Sequence, residues 1–296
     1  MKRVLCFFFA GVLSGLFLIP SSFAADNHIT NIYLFGTDGV EGRGYSTIGE
    51  DDELGRADAI FILSLHKQSG HIKLLNIERD YMAIIPDGVG ENKVSTATYY
   101  GGPELATKVI NNMFDLDIGL YVQINVESLI RAVDIFGGVD VEILPDEVDK
   151  LNSFIASIQY AGIEYIQAGI NHLNGHQAWA MMAVRDLEAE YFESGIQRSI
   201  RQQRVFKAIL EQSISQDIGS LTNFAFEILP LVQTNISVND LLKLIETARS
   251  LNPDYIEYKR TPSGSFRFKS INMHRVVIPD DMAQEIDSVH AFLSGM

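Results

Sequence analysis

Short runs of consecutive apolar residues set the rhythm of the first half of the chain. The segments 32–35, 60–65 and 72–77 each read as a strand, and the first two are so uniformly apolar that they belong in the middle of a sheet covered on both faces. Pro86, Gly88 and Gly90 mark a loop, and Gly101-Gly102-Pro103 a turn, with Pro103 suited to the first position of a helix over 103–114. A strand over 121–125, a helix over 127–136 closed by Gly137-Gly138, and a strand over 139–143 follow. That β-α-β order predicts an α/β sheet with helices on its faces. Farther on, Asn174 caps a helix reaching about Arg185, and the polar, acidic stretch 186–197 reads as a loop. A long helix over 198–214 carries Val205 and Ile209 on one stripe. Helices near 223–233 and 238–250, short strands near 255–260 and 274–278, and a last helix near 281–293 complete the pattern.

The amino terminus has a different pattern. Lys2 and Arg3 precede an apolar stretch from Val4 to Pro20, and Ser22-Phe23-Ala24 then supplies small residues at the positions a signal peptidase reads. Residues 1–24 are therefore expected to be an export signal, or else an N-terminal membrane anchor. The run is about 16 residues against the roughly 20 that a spanning helix needs. No other stretch is long and apolar enough to span a membrane. The folded part is thus expected outside the cytoplasm, in the cell envelope or periplasm.

Composition narrows the function. The chain has 296 residues, 47% hydrophobic and 21% charged, with a net charge of -15, which repels nucleic acid and anionic lipid head groups. The single cysteine, Cys6, lies in the leader, which leaves the mature chain without thiol chemistry or an internal disulfide.

No phosphate-binding glycine loop, dinucleotide fingerprint or nucleophile elbow is present. His172 and His176 have a zinc-like spacing, but Asn174 places His172 before the helix, and no matching glutamate follows. What stands out is a set of charges at strand ends: Asp38 after the first strand, Arg56 and Asp58 opening the second, and Arg79 and Asp80 after the third. The carboxyl edge of an open α/β sheet is where ligands bind. Arg198, Arg201 and Gln202 share one helix face in what is expected to be the first turn, where two arginines oppose the helix dipole unless an anion is bound. On the residues alone, solvated ion pairs remain an open alternative to an anion site.

At this point the chain resembles the LytR-CpsA-Psr family, also described as the cell envelope-related transcriptional attenuator domain. The resemblance runs through Asn31-Ile-Tyr-Leu-Phe-Gly-Thr-Asp38, Arg56-Ala-Asp58, Ile77-Glu-Arg-Asp80, Lys93-Val-Ser-Thr-Ala97 and Tyr100-Gly-Gly-Pro-Glu104. It continues through Phe136-Gly-Gly-Val139, Leu173-Asn-Gly-His-Gln-Ala178, Arg185, Arg198-Ser-Ile-Arg-Gln202 and Ser237-Val-Asn-Asp-Leu-Leu242. It implies one catalytic domain over 28–296, with a motif core at 31–214 and a tail at 215–296. The implied fold is a three-layer α/β/α arrangement with a central mixed β-sheet and an apolar lipid cavity between sheet and helices.

The implied reaction is transfer of a polyprenyl-pyrophosphate-linked glycopolymer to a peptidoglycan hydroxyl at the outer face of the cytoplasmic membrane. By the resemblance, Asp38 and Asp58 hold Mg²⁺, and Arg79, Lys93, Arg185, Arg198, Arg201 and Gln202 bind the pyrophosphate. Asp58, Arg79, Asp80 and Arg198 are the expected catalytic group. Two positions depart from the family. Ala183 stands where an arginine is usual, and Gly195-Ile-Gln-Arg198 replaces an Asp-x-Gly-Arg pattern. The lost arginine keeps a second reading alive, a non-catalytic binder of polyprenyl pyrophosphate.

Overall fold

A computed structural model of the chain describes residues 28–38, 55–158, 164–185, 191–248, 250–271 and 274–295. The expected leader at 1–24 lies outside the described residues. In chain order the first elements are β1 (Ile29–Thr37), β2 (Ala57–His66), β3 (Ile72–Ile77), β4 (Met82–Ile85), β5 (Gly90–Lys93) and α1 (Ala97–Phe114). Then come β6 (Leu120–Asn125), α2 (Val126–Phe136), β7 (Val139–Ile143), α3 (Val148–Ser157), β8 (Gly169–Leu173) and α4 (Gly175–Ala183). The remainder is α5 (Tyr191–Ser215), α6 (Ile218–Ile228), β9 (Gln233–Thr234), α7 (Val238–Ala248), β10 (Ile256–Thr261), β11 (Phe266–Ile271), β12 (His274–Pro279) and α8 (Met282–Ser294).

The central sheet is mixed and has the order β10-β3-β2-β1-β6-β9. The two strands with the most uniform apolar runs, β1 and β2, do lie in its middle. β2 runs antiparallel to both β1 and β3, while β6 is parallel to β1 and β10 to β3. The carboxyl ends of β1, β3, β6 and β10 therefore meet the start of β2 along one edge.

Each face of the sheet has its own packing. On one, Tyr33, Phe35, Ile60, Ile62, Leu75 and Ile77 pack with Val109, Ile110 and Phe114 of α1 and Val289 and Leu293 of α8. On the other, Ala59, Phe61 and Leu74 are buried, with Leu34, Leu63, Tyr258 and Phe206 of α5 only partly so. Leu34, Leu63, Val122 and Ile124 are half-buried even though they sit on interior strands. Leu221, Phe224 and Ile228 of α6 are half-buried as well, and Leu210, Ile214 and Leu244 pack incompletely against the same side. Dense packing is the rule in protein interiors, and this face leaves its apolar side chains less covered than the other.

The β-α-β expectation is corrected. β7 does not join the central sheet but pairs antiparallel with β8. Its burial alternates, with Val139, Val141 and Ile143 inside and Asp140 and Glu142 outside. That is the pattern of a strand covered on one face, unlike the continuous apolar run of a central parallel strand. The turn at Gly101-Gly102 is instead a kink inside α1, where Gly102 takes a φ of 64° before Pro103 restarts the helix. Of the loop expected at 186–197, residues 191–197 are helical instead, because α5 begins at Tyr191, and 186–190 lie outside the described residues.

α4 is seated against α2 through a glycine. The Gly175 amide donates to Asp134 Oδ1 at 2.7 Å. A Cβ at this position would lie 2.1 Å from the Ile130 carbonyl oxygen. Backbone cannot yield as a side-chain tip can, so Gly175→Ala should cost at least about 2 kcal/mol in denaturant unfolding. An unchanged midpoint would mean that α2 and α4 separate freely.

Candidate active site at the carboxyl edge of the sheet

The charged residues at the strand ends converge on Asp58. Its Oδ1 pairs with Nη1 of Arg79, and its Oδ2 accepts from Nη1 of Arg198 at 3.1 Å. Arg79 Nε lies 3.4 Å from Asp80 Oδ1, which also takes the Lys93 ammonium at 2.7 Å. A continuous chain of alternating charge results: Arg198, Asp58, Arg79, Asp80, Lys93. Arg198 and Asp80 are buried, whereas the Asp58 side chain is 31% exposed and forms the opening.

Backbone pairing fixes this arrangement. The Ser95 amide donates to the Arg79 carbonyl at 3.2 Å and the Val94 amide to the Tyr81 carbonyl at 2.8 Å. These bonds pin the segment after β3 beside the end of β5, bringing Arg79 and Lys93 to one carboxylate. The Val277 amide donates to the Asp80 carbonyl at 2.8 Å and closes the same segment from the tail.

Asp38 occupies the neighbouring position on the edge. Its Oδ1 accepts the Arg56 amide at 2.6 Å, and its own amide donates to the Arg56 carbonyl at 3.1 Å. It is exposed. Among the described residues no group of three or more acidic, histidine or cysteine side chains stands ready for a metal ion. Asp38 and Asp58 are hard oxygen donors of the kind Mg²⁺ prefers, and this ion commonly takes one or two carboxylates plus substrate phosphates. Two carboxylates are too few to hold the ion alone, and both oxygens of Asp58 face guanidiniums, so these donors suit Mg²⁺ only in the company of phosphate oxygens.

The rest of the arginine set does not behave as the spacing suggests. Arg198 is the eighth residue of α5, not part of its first turn, so the helix-dipole argument does not apply to it. Arg201 turns away from Arg198: its Nε donates to the Met181 carbonyl at 3.1 Å and its Nη2 donates to the Val184 carbonyl. Gln202 Nε2 donates to the Met182 carbonyl at 3.3 Å. A cation at the carbonyl end of α4 is electrostatically favourable. Both residues hold the end of that helix, whose last residue is Ala183, with Arg185 just beyond. His172 is no metal ligand here, since Nδ1 faces Asp140 and Nε2 the Gly137 carbonyl, both at 2.7 Å. The hydrogen bond to Asp140 is the main reason its pKa is raised above the usual histidine value.

Glu78 and Arg260 have no place in the sequence-based site. Glu78 is buried, and its Oε2 lies 3.5 Å from Arg260 Nη1. Burial, then the nearby Asp80 charge, pushes its carboxyl above the usual range, against the pull of Arg260 and Arg198. The one sequence signal was an acidic residue directly after a strand that is buried throughout.

Asp58→Asn should leave two guanidiniums facing each other across a neutral amide. Discounted for the exposure of Asp58, the loss in unfolding free energy is expected to be about 1–3 kcal/mol. Adding inorganic pyrophosphate should recover part of it. An unaltered denaturant midpoint would show that the carboxylate contributes nothing to holding the arginines.

Comparison with known proteins places this geometry in context. An uncharacterized protein of Staphylococcus aureus is 26% identical over 191 residues, covering 64% of this chain and 44% of that protein. The chain thus spans less than half the length of that relative. A Halalkalibacterium halodurans protein named polyisoprenyl-teichoic acid–peptidoglycan teichoic acid transferase TagU is 26% identical over 236 residues, 78% of this chain and 71% of that one. The fold is shared with Bacillus subtilis TagV, with a TM-score of 0.70, 20% identity, and coverage of 90% of this chain and 97% of that one. It is shared too with YwtF (TagT) carrying a bound octaprenyl pyrophosphate lipid, with a TM-score of 0.66, 20% identity, and coverage of 92% and 94%. The model of the LytR_cpsA_psr family matches residues 19–285, and the chain belongs to that family.

Proposed function

We propose that this chain is a phosphotransferase that moves a polyprenyl-pyrophosphate-linked glycopolymer onto a peptidoglycan hydroxyl and releases polyprenyl phosphate. The observation that carries the reading is the convergence of Arg79 and Arg198 on Asp58 at the mouth of a loosely filled apolar layer. A charged head and an apolar tail need those two environments side by side. Helix α5 joins them: Arg198 stands at the mouth and Phe206 in the layer, eight residues apart, or about 12 Å along the axis. The names of the relatives support the same chemistry, since one is called a teichoic acid transferase and one solved neighbour holds a polyprenyl pyrophosphate.

In the proposed reaction the acceptor hydroxyl oxygen bonds to the phosphorus next to the glycopolymer. The bond from that phosphorus to the bridging oxygen breaks, and polyprenyl phosphate leaves with the electron pair. Arg79, Arg198 and Lys93 bind the non-bridging oxygens and stabilise the charge that builds on them. Asp58 and Asp80 are the two carboxylates of the chain of charges that can take the hydroxyl proton. Asp38 and Asp58 would hold Mg²⁺ jointly with phosphate oxygens, and the bound ion supplies further neutralisation. The expected leader puts this chemistry at the outer face of the cytoplasmic membrane, next to the cell wall.

A transfer assay with a polyprenyl-pyrophosphoryl glycopolymer and peptidoglycan tests the reaction. Wild-type protein should label peptidoglycan, and Arg198→Ala should lose most of that activity. Donor binding without any transfer would support the alternative, a binder without catalysis. Failure of Arg198→Ala to alter either binding or transfer would end the proposal.

The position of Ala183 generates a separate expectation. It ends the helix that Arg201 and Gln202 anchor to α5. Restoring the usual charge as Ala183→Arg should tighten binding of a lipid pyrophosphate by one charge-assisted contact, about 1.5–3 kcal/mol. Titration calorimetry showing no gain would place this helix end away from the phosphates.

A further inference from the structure

We infer that Arg260 is an additional phosphate-binding cation of this mouth, kept in position by Glu78 until an anion arrives. The inference rests on the reading of the site as a pyrophosphate mouth. It gives the tail of the chain a part in binding, and supplies from β10 a charge that Ala183 withholds.

Topology places Arg260 at the site. β10 runs parallel to β3, and the Glu78 amide extends their ladder by donating to the Thr261 carbonyl at 3.0 Å. Residues 259–261 therefore end at the same edge as Ile77 and Arg79. Alternation along β10 decides the face. Lys259 donates to the Ser288 carbonyl at 2.9 Å and Thr261 Oγ1 to Glu285 Oε2 at 2.9 Å, so both face α8. Arg260 must project from the opposite face, as does Tyr258, which packs in the group that includes Phe206 of α5. That is the face of α5, the helix that carries Arg198.

The Glu78 pair does not resemble a finished structural ion pair. Glu78 is 4% exposed, yet its Oε2 accepts no hydrogen bond and its Oε1 receives only the Asp80 amide at a long 3.5 Å. The separation from Arg260 is also 3.5 Å, whereas a charge-assisted contact closes to about 2.7–2.9 Å. A buried carboxylate this poorly satisfied is costly. Its value lies in facing Arg260 and being within electrostatic reach of Arg198 as well, holding the place of an anion. The Arg260 side chain is 23% exposed, although its Nη1, the atom facing Glu78, is buried. Glu78 thus stands between Arg260 on one side and Arg198 on the other, the position an anion shared by the two would take.

The test is titration calorimetry of the full chain with inorganic pyrophosphate, alongside thermal melts. R260Q should weaken binding about tenfold, the equivalent of one charge-assisted contact. R260K should restore most of it. E78Q, which removes the competing negative charge but keeps the shape, should bind several-fold more tightly than wild type. R198Q is the control for the underlying reading. If R198Q weakens binding while R260Q leaves it unchanged, Arg260 is only a structural partner of Glu78 and the inference is overturned. If neither variant weakens binding, the pyrophosphate mouth itself is wrong. Should R260Q fail to fold, E78Q decides the matter, and affinity no tighter than wild type overturns the inference.

Discussion

The sharing of one aspartate by two arginines is the constraint on which the site depends. Asp58 sits at the start of β2, Arg79 follows β3, and Arg198 comes from a helix that crosses the other side of the sheet. Two guanidiniums repel each other, and only a carboxylate between them makes their approach tolerable. β2 runs antiparallel to both neighbours, so its first residues are the only part of that strand able to reach the edge where β1, β3 and β10 finish. The strand directions thus decide which acidic residue can occupy the middle of the cationic cluster.

Much of this was legible in the chain. Apolar runs marked β1, β2 and β3, and the more uniform runs of the first two put them at the centre, because a strand covered on both faces reads as nearly all apolar. The acids and bases at strand ends were visible for the same reason, as abrupt changes after those runs. Helix ends were less legible. Arg198 looked like the start of a helix because polar residues precede it, but nothing in Tyr191 to Gln197 forbids helix and no proline interrupts it. Arg201 and Arg198 looked equivalent by spacing, yet long side chains leave a helix in different directions. One found a carboxylate, and the other found the carbonyl end of α4. Such choices depend on which element packs alongside, which periodicity along one segment does not encode.

Glu78 and Arg260 illustrate a second limit. They are far apart in the chain, and although Glu78 lies within Ile77-Glu-Arg-Asp80, Arg260 belongs to none of the recognised motifs. β10 joins the sheet at its edge from the last fifth of the sequence, so the pair exists only once that strand has found its register against β3. The tail is therefore not a decoration on the motif-bearing core. It supplies an edge strand, the helix α8 that covers one face, and a charged side chain for the mouth.

Helix α5 carries both the polar and the apolar halves of the site on one rigid rod. Adding a single residue between Arg198 and Phe206 would turn one end about 100° relative to the other. The charged end would then address the mouth while the apolar end addressed solvent, or the reverse. Evolution can lengthen the loops around this molecule at modest cost, but the spacing inside this rod can change only in steps that restore its phase. Its pitch acts as a gauge, setting how far the charged end of the site stands from its apolar end.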